Sequence, residues 1–146
     1  MAKQGEKDSA DVITVARTIY NEARGDGLAG MQGVAEVIRN RIGHAGYGKK
    51  SSAIEVVSQQ GQFLGYGTSV PKATGVDATR WEDAKNLARN LVDGTLTGNK
   101  TCGAHAFHKA ESSKGLVGPA WTATHTVKIG EHNFFKITPA PKPAKK

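Results

Sequence analysis

The sequence predicts an α+β domain, with a mainly helical N-terminal part followed by a small antiparallel β-sheet. Three observations carry this. Apolar residues recur at helical spacing as far as residue 93, with the interruption noted below. The period then changes, and β-branched and aromatic residues gather between residues 103 and 137. The 146 residues suit one domain, and the 18 glycines have no Gly-X-Y period, so they punctuate elements and exclude collagen.

Residues 1–8 read as a flexible leader. Ser9 is placed to cap a helix reaching about Arg24, because Val12, Val15, Ala16, Ile19, Tyr20 and Ala23 form one apolar stripe. Gly25 and Gly27 stop it. A second helix over about Leu28–Arg41 turns Met31, Val34, Ala35 and Ile38 inward, and a short third helix is expected over Ser52–Ser58. Residues 59–76 lack a period and read as an ordered loop carrying Gln62, Phe63 and Tyr66. A fourth helix over about Thr79–Asp93 places Trp81, Ala84, Leu87, Ala88, Leu91 and Val92 inward, and Gly94 ends it. Strands are expected over 103–108, 122–129 and 132–137, the last two joined by a turn at Gly130-Glu131. Residues 9–137 therefore form the domain. Residues 138–146 form a disordered Pro/Lys tail without the means to build a core.

Twenty Lys and Arg against thirteen Asp and Glu give a net charge of +7. Such a chain seeks anions: nucleic acid, acidic lipid or an anionic wall polymer. No nucleic-acid motif accompanies the charge, and much of it sits in Lys49-Lys50 and in the tail lysines, so nucleic acid is not the expected partner. The single cysteine, Cys102, excludes an internal disulfide and a cysteine zinc cage. No apolar run approaches the ~18–20 residues of a membrane span. Met1 to Asp11 lacks the apolar core of a secretory signal, so synthesis in the cytoplasm without one is expected.

Two groups of residues carry possible chemistry. Glu22 lies at the edge of the first helix's apolar stripe, near Val15 and Ile19. Partial burial of a carboxyl disfavours its charged form, which suits a general acid. The competing reading is an ordinary surface glutamate at a helix end. His105 and His108, with His132 nearby, have metal-like spacing. On a regular strand, however, positions i and i+3 point to opposite faces, so chelation would require a bulge. The expectation is no metal and no cofactor.

Five blocks in order resemble the SleB-like cell wall hydrolases, a family of spore-cortex-lytic and phage-associated enzymes. They are Ala16-Arg17-Thr18-Ile19-Tyr20-Asn21-Glu22-Ala23-Arg24-Gly25; Gly33-Val34-Ala35-Glu36-Val37-Ile38-Arg39-Asn40-Arg41; Gly61-Gln62-Phe63; Gly103-Ala104-His105-Ala106-Phe107-His108; and Trp121 followed by Ile129-Gly130-Glu131-His132-Asn133-Phe134-Phe135. The resemblance covers about 11–136. Leu64 and Asn21 depart from the residues usual in the family at those places.

The resemblance implies a lysozyme-like fold and cleavage of the β-1,4 bond between N-acetylmuramic acid and N-acetylglucosamine in bacterial peptidoglycan. It puts Glu22 on the family's catalytic glutamate. It also implies substrate-binding roles for Gln62, Phe63, Asn40, Tyr66, His108, Trp121 and His132, with structural roles open for Asn40, Trp121 and His132. Lytic transglycosylation by one glutamate is the first reading. Hydrolysis of the same bond by water, and zinc-dependent cleavage of the muramoyl–peptide bond, are the alternatives. The setting that fits is a monomeric phage-type endolysin or virion lysin that reaches the wall after release or delivery, aided by attraction to an anionic wall or membrane surface.

Overall fold

Helix α1 spans Ala10–Ala23 and begins where Ser9 Oγ accepts the Val12 N–H at 3.2 Å. In the computed structural model, which describes residues 8–59, 63 and 75–140, every member of its expected apolar stripe is buried. Residues 1–7 of the expected leader and 141–146 of the expected tail lie outside the described residues, as does most of the 59–76 loop. Asp8, which the sequence places in the leader, is gripped by the Arg89 guanidinium at 2.7 and 2.8 Å.

A 3-10 turn over Arg24–Asp26 leads into α2 (Gly27–Arg41), which buries Met31, Val34, Ala35, Val37 and Ile38. After a second 3-10 turn (Ala45–Tyr47), α3 (Ala53–Ser58) starts on Ser52, whose Oγ accepts the Glu55 N–H. Helix α4 spans Val76–Asp93 and starts three residues earlier than Thr79, with Gly75 as its cap. Leu87, Ala88 and Leu91 face the core, but Val92 is exposed, contrary to its expected inward place. α4 packs against α1 and α2.

The sheet has strand order β1-β3-β2, all antiparallel. Strand β1 is only Ala106–His108, shorter than expected, because Cys102 and Gly103 both have positive φ and turn the chain before it. β2 is Trp121–Ile129 and β3 is His132–Pro139. β3 therefore runs two residues beyond the boundary expected at Ile137. Pro139 is tolerated because β1 has already ended beside β3, and the ladder closes through Ala140 N–H to Ala120 O at 2.9 Å. A bulge at Thr126 breaks the β2–β3 register, and the Thr126 hydroxyl donates to Thr101 O at 2.7 Å.

As the central strand, β3 is buried on both faces. Phe134 joins the helical core, whereas Phe135 and Ile137 join a second cluster with Tyr47 and Ala106. The sheet docks on the helices through Phe134 of β3 with Phe107 of β1 and Val127 and Ile129 of β2 beside it, and the start of β3 lies at the C-terminal ends of α1 and α2.

Candidate active site

A cleft of about 440 Å³ opens where those ends meet the sheet. α1 contributes Asn21 and Glu22, α2 contributes Arg41, β1 and the residue after it contribute Phe107, His108 and Lys109, and β3 contributes His132. Glu22 is half-buried. It is the one carboxylate among the described residues that line this cleft.

Arg41 is 4% exposed, and its placement explains how it keeps a charge there. Nε donates to His105 O at 2.6 Å, and the guanidinium lies 4.1 Å from the Tyr47 ring centre and 4.8 Å from that of Phe63. Burial pushes its pKa down from the usual arginine range, while Tyr47 and Glu22 pull it back up. Arg41 and Glu22 therefore sense each other across the cleft.

His132 is fixed from behind. Its Nδ1 donates to Asp26 Oδ2 at 2.5 Å, and its ring meets the Phe107 ring edge-on at 5.2 Å. Asp26 Oδ1 accepts the Glu131 N–H at 3.1 Å. His108 Nε2 donates to Ser112 O at 2.6 Å, and its ring lies against Phe135.

The structure thus brings together three of the residues expected at a site: Glu22, His108 and His132. Phe63 is buried behind Arg41 and 6.2 Å from Phe107, so it supports the cleft. Gln62 and Tyr66 lie outside the described residues. Asn40 is not a lining residue; its Nδ2 donates to Ala104 O at 2.9 Å and its Oδ1 accepts from Arg39. Trp121 is likewise placed elsewhere, 5.3 Å from the His44 ring in the second apolar cluster.

The three histidines with metal-like spacing go to three separate places. His132 turns to Asp26, His108 to Ser112, and His105 accepts the Ile137 N–H at 3.0 Å beside the His44 ring. Among the described residues no group of three or more His, Cys, Asp or Glu side chains is arranged to hold a metal ion.

Neither other glutamate of the matched blocks supplies a second acid in the cleft. Glu36 is fully buried, and its carboxylate accepts from Gln32 Nε2, the Lys100 and Thr101 N–H groups and the Thr101 hydroxyl. Glu131 is exposed at the hairpin turn, 3.8 Å from Lys109.

Residues 25–135 match the family model described as Cell Wall Hydrolase. The chain belongs to the cell wall hydrolase family. The fold agrees with two solved structures. The catalytic domain of the Bacillus cereus SleB protein superposes with a TM-score of 0.60 at 22% identity, over 90% of this chain and 94% of that one. The catalytic domain of the germination-specific lytic transglycosylase SleB from Bacillus anthracis gives 0.53 at 23% identity, over 89% and 97%. This is the lysozyme-like architecture that the sequence implied. No curated protein matches the chain in sequence.

Glu22 precedes the matched stretch, so its standing in this cell wall hydrolase rests on the cleft and on the block around it. Two residues of the site escaped sequence reasoning. Arg41 was visible only as the end of the second block. Asp26 sat between Gly25 and Gly27, a pattern too sparse to read. Its signal was distant, in Gly30 and Gly130, where an added Cβ would stand 2.3 Å from Asp26 Cβ and 2.4 Å from Asp26 Oδ1.

Proposed function

We propose that this enzyme cleaves the β-1,4 bond between N-acetylmuramic acid and N-acetylglucosamine in peptidoglycan as a lytic transglycosylase, with Glu22 as the single acid–base residue. The observation that carries the reading is that Glu22 is the one carboxylate lining the cleft among the described residues. Glycosidases working through paired carboxylates need a second acid about 5–9.5 Å away. Glu36 and Glu131 are committed elsewhere. The Bacillus anthracis relative's description as a lytic transglycosylase supports the same chemistry.

In this mechanism Glu22 protonates the glycosidic oxygen as the bond to the muramic acid anomeric carbon breaks. The substrate's own N-acetyl oxygen stabilises the positive centre. The Glu22 carboxylate then takes the proton of the sugar's 6-hydroxyl, whose oxygen closes onto that carbon. The product is a 1,6-anhydro sugar, and Glu22 returns to its starting state. Arg41 supplies the neighbouring cation that the transient carboxylate requires. Phe107, His108 and His132 border the sugar, and Gln62 and Tyr66 take acetamido and stacking contacts as the resemblance implies.

Mass spectrometry of muropeptides after digestion of purified sacculi tests the reading. Products lighter by one water than the reducing sugar are expected. Full-mass reducing ends would establish hydrolysis instead, and newly freed stem-peptide amines would overturn glycosidic cleavage.

For its setting we place the enzyme with phage-type endolysins and virion lysins, which a small domain of charge +7 acting on an anionic wall suits. Expressed in the cytoplasm, it then lyses cells only after the inner membrane is permeabilised. Lysis without permeabilisation would overturn that setting.

A further inference from the structure

The mechanism above leaves one built feature of the cleft unused. Asp26 and His132 come from opposite ends of the domain, the turn before α2 and the start of β3, and meet at 2.5 Å. Both side chains are nearly buried, at 8% and 11% exposure. The space for the pair is carved on two sides by glycine. A Cβ at Gly30 would collide with Asp26 Cβ, and one at Gly130, where φ is +60°, would collide with the Asp26 carboxylate. Two glycines, a buried carboxylate and a cross-domain hydrogen bond are more than a surface ion pair requires.

The chemistry of the pair is directional. A carboxylate oxygen accepts, so Nδ1 of His132 carries a proton and the neutral ring has its lone pair at Nε2. Among the described residues Nε2 has no hydrogen-bond partner. His132 lines the cleft, and with the Nδ1 edge turned to Asp26, the Nε2 edge is the one left for a ligand. Phe107 packs against the ring in a T-shaped contact. The other polar residues lining the cleft are Asn21, Glu22, Arg41, His108 and Lys109.

We propose that His132 accepts a hydrogen bond at Nε2 from a hydroxyl of the bound sugar, and that Asp26 is the positioning residue that fixes the ring and its tautomer for this. The inference rests on the glycan-cleaving reading above and deepens it by naming a hydroxyl contact in the cleft that Glu22 also lines.

The test combines three variants with a readout that needs no turnover. Nitrogen-15 NMR of the full chain is expected to show His132 with its proton on Nδ1, and Asp26→Asn to shift it toward Nε2. On peptidoglycan, Asp26→Asn is expected to lower turnover roughly 10- to 100-fold, the value of one well-made hydrogen bond, with little change in melting temperature. His132→Gln retains an acceptor and is expected to keep part of the activity, whereas His132→Phe removes the acceptor and is expected to lose at least as much as Asp26→Asn at a similar melting temperature. A purely structural ring would show no such difference between two equally stable variants. If Asp26→Asn folds poorly, the His132→Gln and His132→Phe pair and the wild-type spectrum decide. An Nε2–H tautomer in the wild type, or equal activity in His132→Gln and His132→Phe, would overturn the proposal. Glu22→Gln serves as the separate control: activity surviving in that variant sinks the underlying mechanism, while the NMR result stands independently.

Discussion

Glu36 on α2 receives both the main-chain N–H and the hydroxyl of Thr101 at 2.9 Å, across a separation of 65 residues. It is one of a row of ties along the same helix. Gln32 donates to Thr97 O, Arg39 to Gly98 O, Asn40 to Ala104 O and Arg41 to His105 O. Residues 97–105 are therefore laid along α2 by side chains that satisfy their backbone, and β1 begins directly afterwards. Burial alone would raise the Glu36 carboxyl, but its donors from Gln32, Thr101 and Lys100 outweigh burial and hold it below the usual glutamate range. Glu36→Ala leaves these buried donors unmatched and is expected to cost about 3 kcal/mol. Denaturant unfolding at neutral pH measures this. A variant as stable as the parent would remove Glu36 as the anchor of the segment. Because its folded pKa is depressed, its contribution is present above the unfolded pKa and disappears as the pH falls below about 4.5.

Glu22→Gln is expected to fold normally and to lose clearing of sacculi by roughly 10²–10⁴-fold, because an amide cannot donate the proton that the carboxyl donates. Turbidity loss alongside a thermal melt checks both halves. A well-folded variant that clears sacculi at the parental rate would take Glu22 out of the mechanism.

His105 provides a second, separable pH effect. Burial first, then His44, Lys136 and Arg41, lower its pKa from 6.5 to about 4. The geometry agrees, since Nδ1 accepts the Ile137 N–H while His44 Nε2 donates to Ile137 O, with the two rings 4.1 Å apart. Protonating His105 breaks its half of that clasp. A histidine held neutral contributes stability above its unfolded pKa and loses it as the pH drops toward the folded value. Stability is therefore expected to fall by about 2 kcal/mol between pH 7.5 and 5, a window that ends before Glu36 titrates. His105→Asn retains an acceptor for Ile137 and is expected to flatten the fall. Equal slopes for parent and variant in denaturant midpoint against pH would show that another group is responsible.

The helices were legible because their stripes are local: Val12 through Ala23 on α1 and Met31 through Ile38 on α2 reveal their buried faces by spacing alone. Val92 misled because it continues the apolar run on α4, yet in that last turn it is Leu91 that enters the core while Val92 is exposed. β1 was overextended because the positive φ at Cys102 and Gly103 cannot be read from a short apolar run. Within the site, Glu22, His108 and His132 were visible as residue types in matched blocks. Asp26 was not, since its meaning depends on a partner 106 positions away. Asn40 and Trp121 carried site-like chemistry, but packing gave the first to Ala104 and the second to His44.

Gly33 sets how closely the sheet approaches the helices. It lies mid-helix on α2, where glycine costs about 1 kcal/mol relative to alanine, so propensity alone would favour replacement. The structure opposes this. A Cβ at Gly33 would stand 2.7 Å from Cζ of Phe134 and 3.1 Å from Cε2, and the Phe134 ring is fully buried between α2 and the Phe107 ring. The ring cannot retreat without pushing β3, and β3 carries His132 two residues earlier. Gly33→Ala is therefore expected to destabilise by about 1–3 kcal/mol despite its better helix propensity. It is also expected to lower activity by displacing His132 relative to Glu22. Pairing it with Phe134→Leu, which removes the ring edge that an alanine would strike, should recover part of the stability relative to the sum of the two single changes. Chemical denaturation of the four proteins in the cycle measures that coupling. Strict additivity, or a stabilised Gly33→Ala, would show that the helix and sheet can part without cost and that the close approach is not what seats β3.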